Sequence, residues 1–541
     1  MNEFEIYPVS ALEKVRPDLR PLLYEEEKSV FGNERASFQI AMRSIGGELR
    51  DCRLEAEGEG DIRLFSIGFV PCSYPVKESG DDYLCDGAGR LVPDILRPCS
   101  GECVQFPANL WKSFFVTVKN LKRGSNLIKL SVFRGEEKMG SAVYRINVLP
   151  EMLPETDFKY SNWIHYDGIS ENHRLEMFSE EYFSVLGKYI SCAEEHGINV
   201  LYVPLFTPPL DTDFDKERKT AQLVGVEISD GKYVFDFSLL RKFFRLAESC
   251  KIKYYEFSHL FSQWGARSCP KIIAKKDGVP VRIFGQDSDS LSAEYRYFLN
   301  AFLKELKKLI AELGIEKRCF FHISDEPSEA NADRYAACRK IVKEAYPECV
   351  IIDAMTDENV LKRGLAEIPV VGTDRAEIFS GNTSSEWWAY YCTVQDKNFL
   401  SNRFLSMPLE RTRIIGMQLY ENGARGFLQW GYNFYNSFLS RYPIDPFVDT
   451  DAGEGFQSGD AFIVYPDTEG KGVFSSLRLE AMADAMYDYR ALKLAEEKKG
   501  EIFVKNFLSE NGLKNGFTDY VKNPLWLLRL RGKVNSLVGK R

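Results

Sequence analysis

Two adjacent carboxylates stand where a short apolar run ends, in Phe321-His322-Ile323-Ser324-Asp325-Glu326-Pro327. The run from Cys319 to Ile323 is typical of a buried strand, and Pro327 stops further strand pairing. Two carboxylates at the mouth of a strand repel each other, and burial raises the cost of ionising both. One then holds a proton near neutral pH while the other stays charged, as acid-catalysed cleavage of a glycosidic bond requires. A solvated Asp-Glu turn is the alternative, so the surroundings of the pair must decide.

The composition describes a large, acidic protein that is rich in aromatic side chains. The chain has 541 residues, of which 13% are aromatic, and this length predicts two or three domains. The formal net charge is −9, and the charged residues are spread along the chain without blocks of one sign. This argues against nucleic acid or an anionic membrane as a partner. The acidic start differs from a secretion signal, and no run of about 18 apolar residues occurs. We therefore expect a cytoplasmic protein that does not span a membrane.

Patterns for a metal, an organic cofactor or a serine nucleophile are missing from the sequence. The 12 cysteines form no Cys-x-x-Cys pair, and the five histidines are dispersed without a His-Glu-x-x-His motif. No Gly-x-Ser-x-Gly motif occurs, and no Gly-x-Gly-x-x-Gly motif follows a predicted strand. We expect chemistry that needs neither a metal nor a cofactor.

The first 150 residues show the period-two alternation of half-buried strands. Phe38, Ile40 and Met42 alternate with Gln39, Ala41 and Arg43, and similar patterns begin at Ile128 and Tyr144. Several such strands without helices predict an all-β sandwich domain over residues 1–150. The segment from Asp81 to Gly101 is interpreted as a long loop. The prolines between Leu149 and Pro154 mark the domain boundary.

From residue 155 to about 495, short apolar runs alternate with helical periodicity, which predicts a parallel sheet of β/α units. The eight candidate strands are Tyr160 to Tyr166, Asn199 to Phe206, Lys253 to Ser258, Cys319 to Ser324, Val350 to Ala354, Pro369 to Gly372, Trp387 to Tyr391 and Gly426 to Trp430. Eight units favour a (β/α)8 TIM-type barrel at 155–495 over an open sheet. We interpret residues 496–541 as a helical extension with a solvated basic end.

Polar and aromatic side chains follow the predicted strands at the end where a barrel gathers its active site. Besides Asp325 and Glu326, the candidates for binding a substrate are Trp163, His165, His259, Trp264, Trp388, Tyr390, Tyr391, Trp430, Tyr432 and Asn433. Aromatic faces suit the C–H surfaces of a sugar ring, and fixed polar groups suit its hydroxyls. Taken singly, His165 and His259 fit core positions better than binding positions, and one of the adjacent Trp387 and Trp388 should pack against a helix.

Several of these motifs resemble glycoside hydrolase family 123. They are Asn162-Trp163-Ile164-His165, Phe206-Thr207-Pro208-Pro209, Ser258-His259-Leu260-Phe261, Phe321 to Pro327 and Gly426 to Asn433. The resemblance covers residues 155 to about 495 and implies a barrel enzyme of the β-N-acetylgalactosaminidase type, preceded by a β-sandwich. It also implies Glu326 as general acid and base, and Asp325 as the group that orients the 2-acetamido group of the substrate.

The activity implied by this resemblance is retaining, exo-acting hydrolysis of terminal β-linked N-acetylhexosamine, with GalNAc preferred. The acetamido oxygen would act as the nucleophile and form an oxazolinium-like intermediate. Trp430 is the expected platform under the sugar, and Tyr391 the expected donor to the acetamido oxygen. His322 stands one residue closer to the Asp-Glu pair than the histidine of family 20 hexosaminidases. Two alternatives remain open: a two-carboxylate glycosidase in which Asp353 or Asp374 partners Glu326, and a non-catalytic carbohydrate-binding protein.

Overall fold

The computed structural model describes residues 3–24, 26–76, 81–85, 89–213, 215–378, 386–514 and 516–539. Its strands are β1 (Glu3–Val9), β2 (Lys28–Val30), β3 (Ala36–Ile45), β4 (Leu49–Glu57), β5 (Asp61–Cys72), β6 (Arg90–Pro98), β7 (Val104–Phe106), β8 (Trp111–Lys119), β9 (Gly124–Arg134), β10 (Glu137–Val148), β11 (Lys159–Asn162), β12 (Val200–Val203), β13 (Gly225–Ser229), β14 (Lys232–Asp236), β15 (Tyr254–Phe257), β16 (Ile272–Lys276), β17 (Val279–Phe284), β18 (Cys319–Phe321), β19 (Val350–Met355), β20 (Ile368–Gly372), β21 (Trp388–Tyr390), β22 (Gly426–Gln429), β23 (Tyr465–Asp467) and β24 (Gly472–Ser476). The helices are α1 (Tyr166–His173), α2 (Glu180–Glu195), α3 (Ser238–Ser249), α4 (Gln263–Ala266), α5 (Ala293–Leu313), α6 (Ala332–Ala345), α7 (Glu358–Lys362), α8 (Leu409–Arg413), α9 (Ile415–Glu421), α10 (Leu477–Lys499), α11 (Glu501–Glu510) and α12 (Pro524–Gly539).

The predicted barrel is confirmed. Its eight parallel strands close in the order β11-β12-β15-β18-β19-β20-β21-β22, and β22 pairs back with β11. Each strand lies within one residue of a predicted apolar run, but most are shorter than predicted. In β18 pairing stops at Phe321, because the side chain of Asp353 takes the backbone N–H groups of Ile323 and Ser324. A side chain therefore ends the strand just before the two carboxylates.

The loops after two barrel strands are enlarged by β-hairpins. β13 and β14 follow β12, β16 and β17 follow β15, and the four strands form one small sheet. Such insertions account for the length of the barrel region, because active-site loops on this side of a barrel tolerate added structure.

The amino-terminal region is β-rich, as expected, and contains two sheets. The larger has the order β1-β3-β8-β5-β6-β24-β23, and the smaller has the order β2-β10-β9-β4-β7. Both sheets contribute to one hydrophobic core, in which Phe38 of β3 stacks on Tyr144 of β10 with ring centroids 4.2 Å apart. Gln39, on the polar face of β3, is also buried. Its side-chain NH₂ donates to the backbone oxygen of Glu13, so the buried amide has a hydrogen-bond partner.

Two features of this region differ from the sequence expectation. The segment interpreted as a loop from Asp81 to Gly101 contains β6, which pairs with β5 because its apolar residues fill the sheet. The larger sheet also takes β23 and β24 from beyond the predicted boundary at residue 150. A strand pairing across several hundred residues leaves no local pattern in the sequence.

Helix α10 is buried on almost all sides and carries acidic residues at four-residue spacing. Glu480, Asp484 and Asp488 lie on one face, where like charges would repel each other. Each forms ion pairs with basic side chains from other parts of the chain, and the pairs are Arg35–Glu480, His196–Glu480, Lys28–Asp484, Arg413–Asp484, Arg413–Asp488 and Arg531–Asp488. Burial would lower the pKa of His196, but Glu480 outweighs it and raises that pKa to about 10. Helix α10 thus joins the β-rich region to the barrel.

Helix α12 corrects the expectation of a solvated basic face. Arg531 is buried and contacts Asp488 and Glu34, both at 2.6 Å. Arg529 is exposed and pairs with Glu26. Lys540 and Arg541 lie outside the described residues. In the part of the chain that the structure describes, no helix is both long enough and apolar enough to cross a membrane.

We predict that the two arginines of α12 differ strongly in their effect on stability. Arg531→Met leaves Glu34 and Asp488 short of a buried cation and should lower the free energy of unfolding by about 3–5 kcal/mol. Arg529→Met, two residues away on the same helix, should leave the urea midpoint unchanged, because its ion pair is in solvent. Urea unfolding monitored by tryptophan fluorescence measures both variants. Equal midpoints for Arg531→Met and the unchanged protein would contradict a stabilising role for the buried pair.

Candidate active site

A cavity of about 240 Å³ opens at the carboxyl ends of the barrel strands. Its lining combines carboxylates with aromatic and aliphatic side chains, and includes Trp163, Leu210, Asp211, Gln263, Trp264, Asp325, Glu326, Ala354, Tyr390, Cys392, Thr393, Val394, Leu428, Trp430, Phe438 and Phe456. The predicted strand-end residues Asp325, Glu326, Trp163, Trp264, Tyr390 and Trp430 are among them.

Asp325 and Glu326 both open into this cavity although they are consecutive residues. In an extended strand their side chains would point to opposite faces. Glu326 has a φ of 44°, in the left-handed region that residues other than glycine adopt infrequently, and its N–H donates to the oxygen of Ala354 at 3.1 Å. This turn breaks the alternation and directs both carboxylates to the same space.

The loop after β15 fastens the backbone of the carboxylate pair from the other side. The N–H of Trp264 donates to the backbone oxygen of Asp325 at 2.9 Å, and the N–H groups of Gly265 and Ala266 donate to the hydroxyl of Ser324. All three loop residues have positive φ, and a Cβ on Gly265 would collide with Asn331. Trp264 remains 51% exposed at the rim of the cavity.

Gln263 orients the carboxylate of Asp325. Its side-chain NH₂ donates to Asp325 Oδ2 at 2.9 Å, while its carbonyl oxygen accepts from the backbone N–H of Asp211. The second contact fixes which end of the amide faces Asp325. Gln263 and Asp211 both follow predicted barrel strands, but neither is among the substrate-binding residues predicted from the sequence.

The carboxylate pair is held at raised pKa values. Burial, followed by the charge of Glu326, raises the pKa of Asp325 to about 7, although Gln263 opposes the shift. Burial also raises the pKa of Glu326, against the hydrogen bond from Tyr390, whose hydroxyl donates to Glu326 Oε1 at 2.5 Å. Two coupled carboxyls of this kind share one proton near neutral pH. The site can therefore supply an acid and a charge together.

Two tryptophans of the cavity are held by buried carboxylates. The indole N–H of Trp163 donates to Glu256 at 3.0 Å, and that of Trp430 donates to Asp460 at 3.2 Å. Trp430 also contacts the edges of Phe434 and Phe456. Fixed aromatic walls of this kind present a flat apolar surface to a ligand at little entropic cost.

Asp211 is a third carboxylate among the described lining residues. It lies after β12 with a φ of 41°, and its Oδ2 accepts from the N–H of Leu439. Burial raises its pKa to about 6, a shift that Arg218 opposes. Its place in the loop after the second barrel strand is the one sequence signal that could have identified it.

Six of the residues predicted to contact a substrate are not among the described lining residues of this cavity. Trp388 lies one layer lower inside the barrel, against Phe320, because residues two apart on a strand share a face. Tyr391 points outward, with its hydroxyl 3.4 Å from the sulfur of Met482 on α10. The other four are buried behind the wall of the cavity. A ring nitrogen of His165 is hydrogen-bonded to the backbone oxygen of Trp430, and the side chain of Asn433 accepts from the backbone N–H of His165. His259 is hydrogen-bonded to the hydroxyl of Tyr202, and the hydroxyl of Tyr432 donates to the backbone oxygen of Tyr189.

The carboxylates considered as partners of Glu326 are engaged elsewhere. Asp353 is buried, and accepts from His322 at 2.8 Å and from the hydroxyl of Tyr335 at 2.6 Å. Asp374 accepts from Gln395 at 2.6 Å. Neither is among the described lining residues of the cavity. The expectation that one of them faces Glu326 across a substrate is therefore not met.

His259, His322 and Asp353 place ligand atoms within 4.8 Å of one another, the spacing of a metal site. The two imidazoles stack with centroids 4.3 Å apart and an interplanar angle of 20°. Their in-plane lone pairs therefore run side by side and do not converge on one ion. Both nitrogens of His322 are also bonded to carboxylates. These residues do not fit a metal ion.

Comparison with known proteins gives a consistent picture. The model of the family "Glycoside hydrolase 123, catalytic domain" matches residues 163–495. A family 123 glycoside hydrolase structure from Clostridium perfringens superposes with a TM-score of 0.75 at 16% identity, covering 99% of both chains. A family 39 glycoside hydrolase from Bacteroides cellulosilyticus WH2 gives a TM-score of only 0.32 at 13% identity, covering 82% of this chain and 80% of that one. No curated protein matches significantly.

The family match spans well over half of the chain and contains every barrel strand after β11. The Clostridium perfringens structure shows that the fold is shared over the whole chain. The cavity with its carboxylate pair lies inside the matched range. The chain belongs to glycoside hydrolase family 123 and contains its catalytic domain.

Proposed function

We propose that this glycoside hydrolase releases terminal β-linked N-acetylhexosamine, with GalNAc preferred, by substrate-assisted catalysis with retention. The observation that carries the proposal is that Asp325 and Glu326 are adjacent and open into one small cavity. A retaining enzyme of the two-carboxylate kind needs its carboxyls on opposite sides of the scissile bond. Consecutive residues are better suited to contact two parts of one sugar.

In the proposed first step Glu326 gives its proton to the glycosidic oxygen as the bond from that oxygen to the anomeric carbon breaks. The acetamido oxygen of the substrate forms a bond to the same carbon, which closes an oxazolinium ring. The charge of Asp325 stabilises the acetamido N–H as positive charge develops on this ring. Water then attacks the anomeric carbon and returns a proton to Glu326, and the ring opens with retention.

The size and lining of the cavity support an exo mode of action on one sugar. Its volume is below the roughly 300–1,000 Å³ of sites for drug-sized ligands, so it suits a single ring. Trp163 and Trp430 offer aromatic faces for the C–H surface of that ring, and Asp211 offers an acceptor for a hydroxyl. The preference for GalNAc rests on the resemblance of the motifs to the family.

A second candidate mechanism is a two-carboxylate glycosidase in which Asp211 partners Glu326. Two observations support this mechanism. Asp211 lines the cavity with a raised pKa, and it follows a different barrel strand from the one that precedes Glu326. This mechanism would not need an acetamido group on the substrate. Substrate selectivity therefore separates the two mechanisms.

We also infer that the amino-terminal region is a β-sandwich domain, with the core shared by its two sheets as support. The division at residues 1–150, 155–495 and 496–541 and the cytoplasmic location stay predictions. Separate expression of residues 1–150 and fractionation of the source cells would test them.

We predict that Glu326→Gln depends on the leaving group. A glycoside with a poor leaving group needs the proton of Glu326, so its kcat/KM should fall roughly 10²–10⁴-fold. An aryl glycoside with an acidic phenol as leaving group should lose much less. Glu358→Gln on α7, which changes an exposed carboxylate paired with Lys362, serves as the control. Equal losses on both substrates would remove Glu326 from the acid role.

We predict that Tyr390→Phe moves the alkaline limb of the pH profile of kcat/KM to higher pH. The hydroxyl of Tyr390 stabilises ionised Glu326, so its loss raises the pKa of an acid that must be protonated to act. Tyr391→Phe is a matched control, since its hydroxyl contacts Met482 away from the cavity. A limb that stays in place in Tyr390→Phe, or moves equally in both variants, would contradict this role.

We predict that the acetamido group is essential. A simple contact with the substrate is worth about 1–3 kcal/mol, or roughly ten- to 150-fold in rate. Loss of a positioned internal nucleophile costs far more, because effective molarities reach on the order of 10⁵ M. Aryl β-GalNAc should therefore turn over while aryl β-galactoside shows no detectable reaction, and a thiazoline analogue should inhibit strongly. Similar turnover of both aryl sugars would favour the Asp211 mechanism.

A further inference from the structure

Three side chains outside the cavity form a continuous hydrogen-bonded row beneath it. His322 bonds Glu256 through Nε2 at 2.6 Å and Asp353 through Nδ1 at 2.8 Å. All three side chains are at most 1% exposed. The proposed mechanism uses none of them, although the row connects β15, the residue that directly follows β18, and β19.

Each end of the row holds a different part of the active site. Glu256 accepts from the indole N–H of Trp163, which lines the cavity, and from the hydroxyl of Ser161. Asp353 accepts from the N–H of Ile323 at 3.0 Å and of Ser324 at 3.4 Å. Those two residues immediately precede Asp325 and Glu326. The row therefore connects the aromatic wall of the cavity to the backbone that carries the carboxylates.

We propose that Glu256, His322 and Asp353 are positioning residues, in which a buried imidazolium held between two carboxylates fixes Asp325 and Glu326 relative to Trp163. The effect of these residues on kcat rests on the roles proposed above for Asp325 and Glu326. The protonation state of His322 is independent of those roles.

Geometry requires that His322 donates from both ring nitrogens if both carboxylates are ionised. Burial by itself would lower the pKa of His322, but the hydrogen bonds to Asp353 and Glu256 outweigh it and raise that pKa to about 9. The charged or titratable groups that face this row from the surrounding elements are His259 after β15, Tyr202 on β12, Tyr335 on α6 and Asp325.

His259 provides a matched control inside the same core. Its ring stacks on His322, and it is equally buried. Burial and the nearby charge of His322 hold the pKa of His259 well below its usual range, so it is neutral. His259 Nδ1 bonds the hydroxyl of Tyr202, and His259 contacts neither carboxylate of the row by a hydrogen bond described in the structure. Replacing it removes a similar ring without removing a charge.

The first experiment is ¹⁵N NMR of the full chain labelled in its five histidines, with His322 assigned by His322→Gln. At pH 7.5 both ring nitrogens of His322 should carry a proton. The imidazolium should lose one of these two protons only near pH 9. Glu256→Gln keeps the shape and an acceptor for Trp163 but removes one charge, so it should lower that titration midpoint. A neutral His322 at pH 7.5 would overturn the proposal whether or not the enzyme turns over any substrate.

The second experiment compares kcat and KM of His322→Gln and His259→Gln on aryl β-GalNAc. A misplacement of about 1 Å can cost on the order of 10²-fold in rate, so His322→Gln should lower kcat by about that factor with little change in KM. His259→Gln should keep most of the kcat of the unchanged protein. If His322→Gln does not fold, Glu256→Gln serves in its place. A folded variant of the row with unchanged kcat would overturn the proposal, whereas an inactive unchanged protein would count only against the proposed function.

Discussion

The three acidic residues on helix α10 impose the constraint on which the assembly of this molecule depends. Glu480, Asp484 and Asp488 stand one turn apart in a buried helix and repel one another unless cations reach them. The cations come from the β-rich region, the barrel and the last helix. Correct packing of all three parts is thus required before all of these charges are compensated, and this couples their stability.

The same physical principle operates on a smaller scale beneath the active site. Asp353 is buried and accepts four hydrogen bonds, two of them from the backbone that follows β18. These contacts end the strand early and leave the chain to turn at Glu326. In both places a buried carboxylate orders the chain because many donors must converge on it. The buried carboxylates that order the chain are therefore different residues from Asp325 and Glu326, the carboxylates proposed to act in catalysis.

The barrel could be predicted from the sequence because its strands are short apolar runs and active-site groups follow their carboxyl ends. The carboxylate pair was found in this way, as were Trp163, Trp264, Tyr390 and Trp430. Apolar runs do not define the layer or the face of each side chain, so the positions of Trp388 against Phe320 and of Tyr391 against Met482 could not be predicted from them. Asp211 and Gln263 belong to irregular loops, and β23 joins a sheet begun several hundred residues earlier. Such long-range contacts leave no periodic signal.

The pairing of Glu34 with Arg531 also has a consequence for the order of events during synthesis. The two residues are 497 positions apart, and Glu34 is made first. Ribosomes add roughly 5–20 residues per second, so about 25–100 s pass before Arg531 exists. During that interval Glu34 has no cation from α12, and for most of it the larger amino-terminal sheet also lacks β23 and β24. The native packing of the amino-terminal region can therefore be completed only after nearly the whole chain has been synthesised.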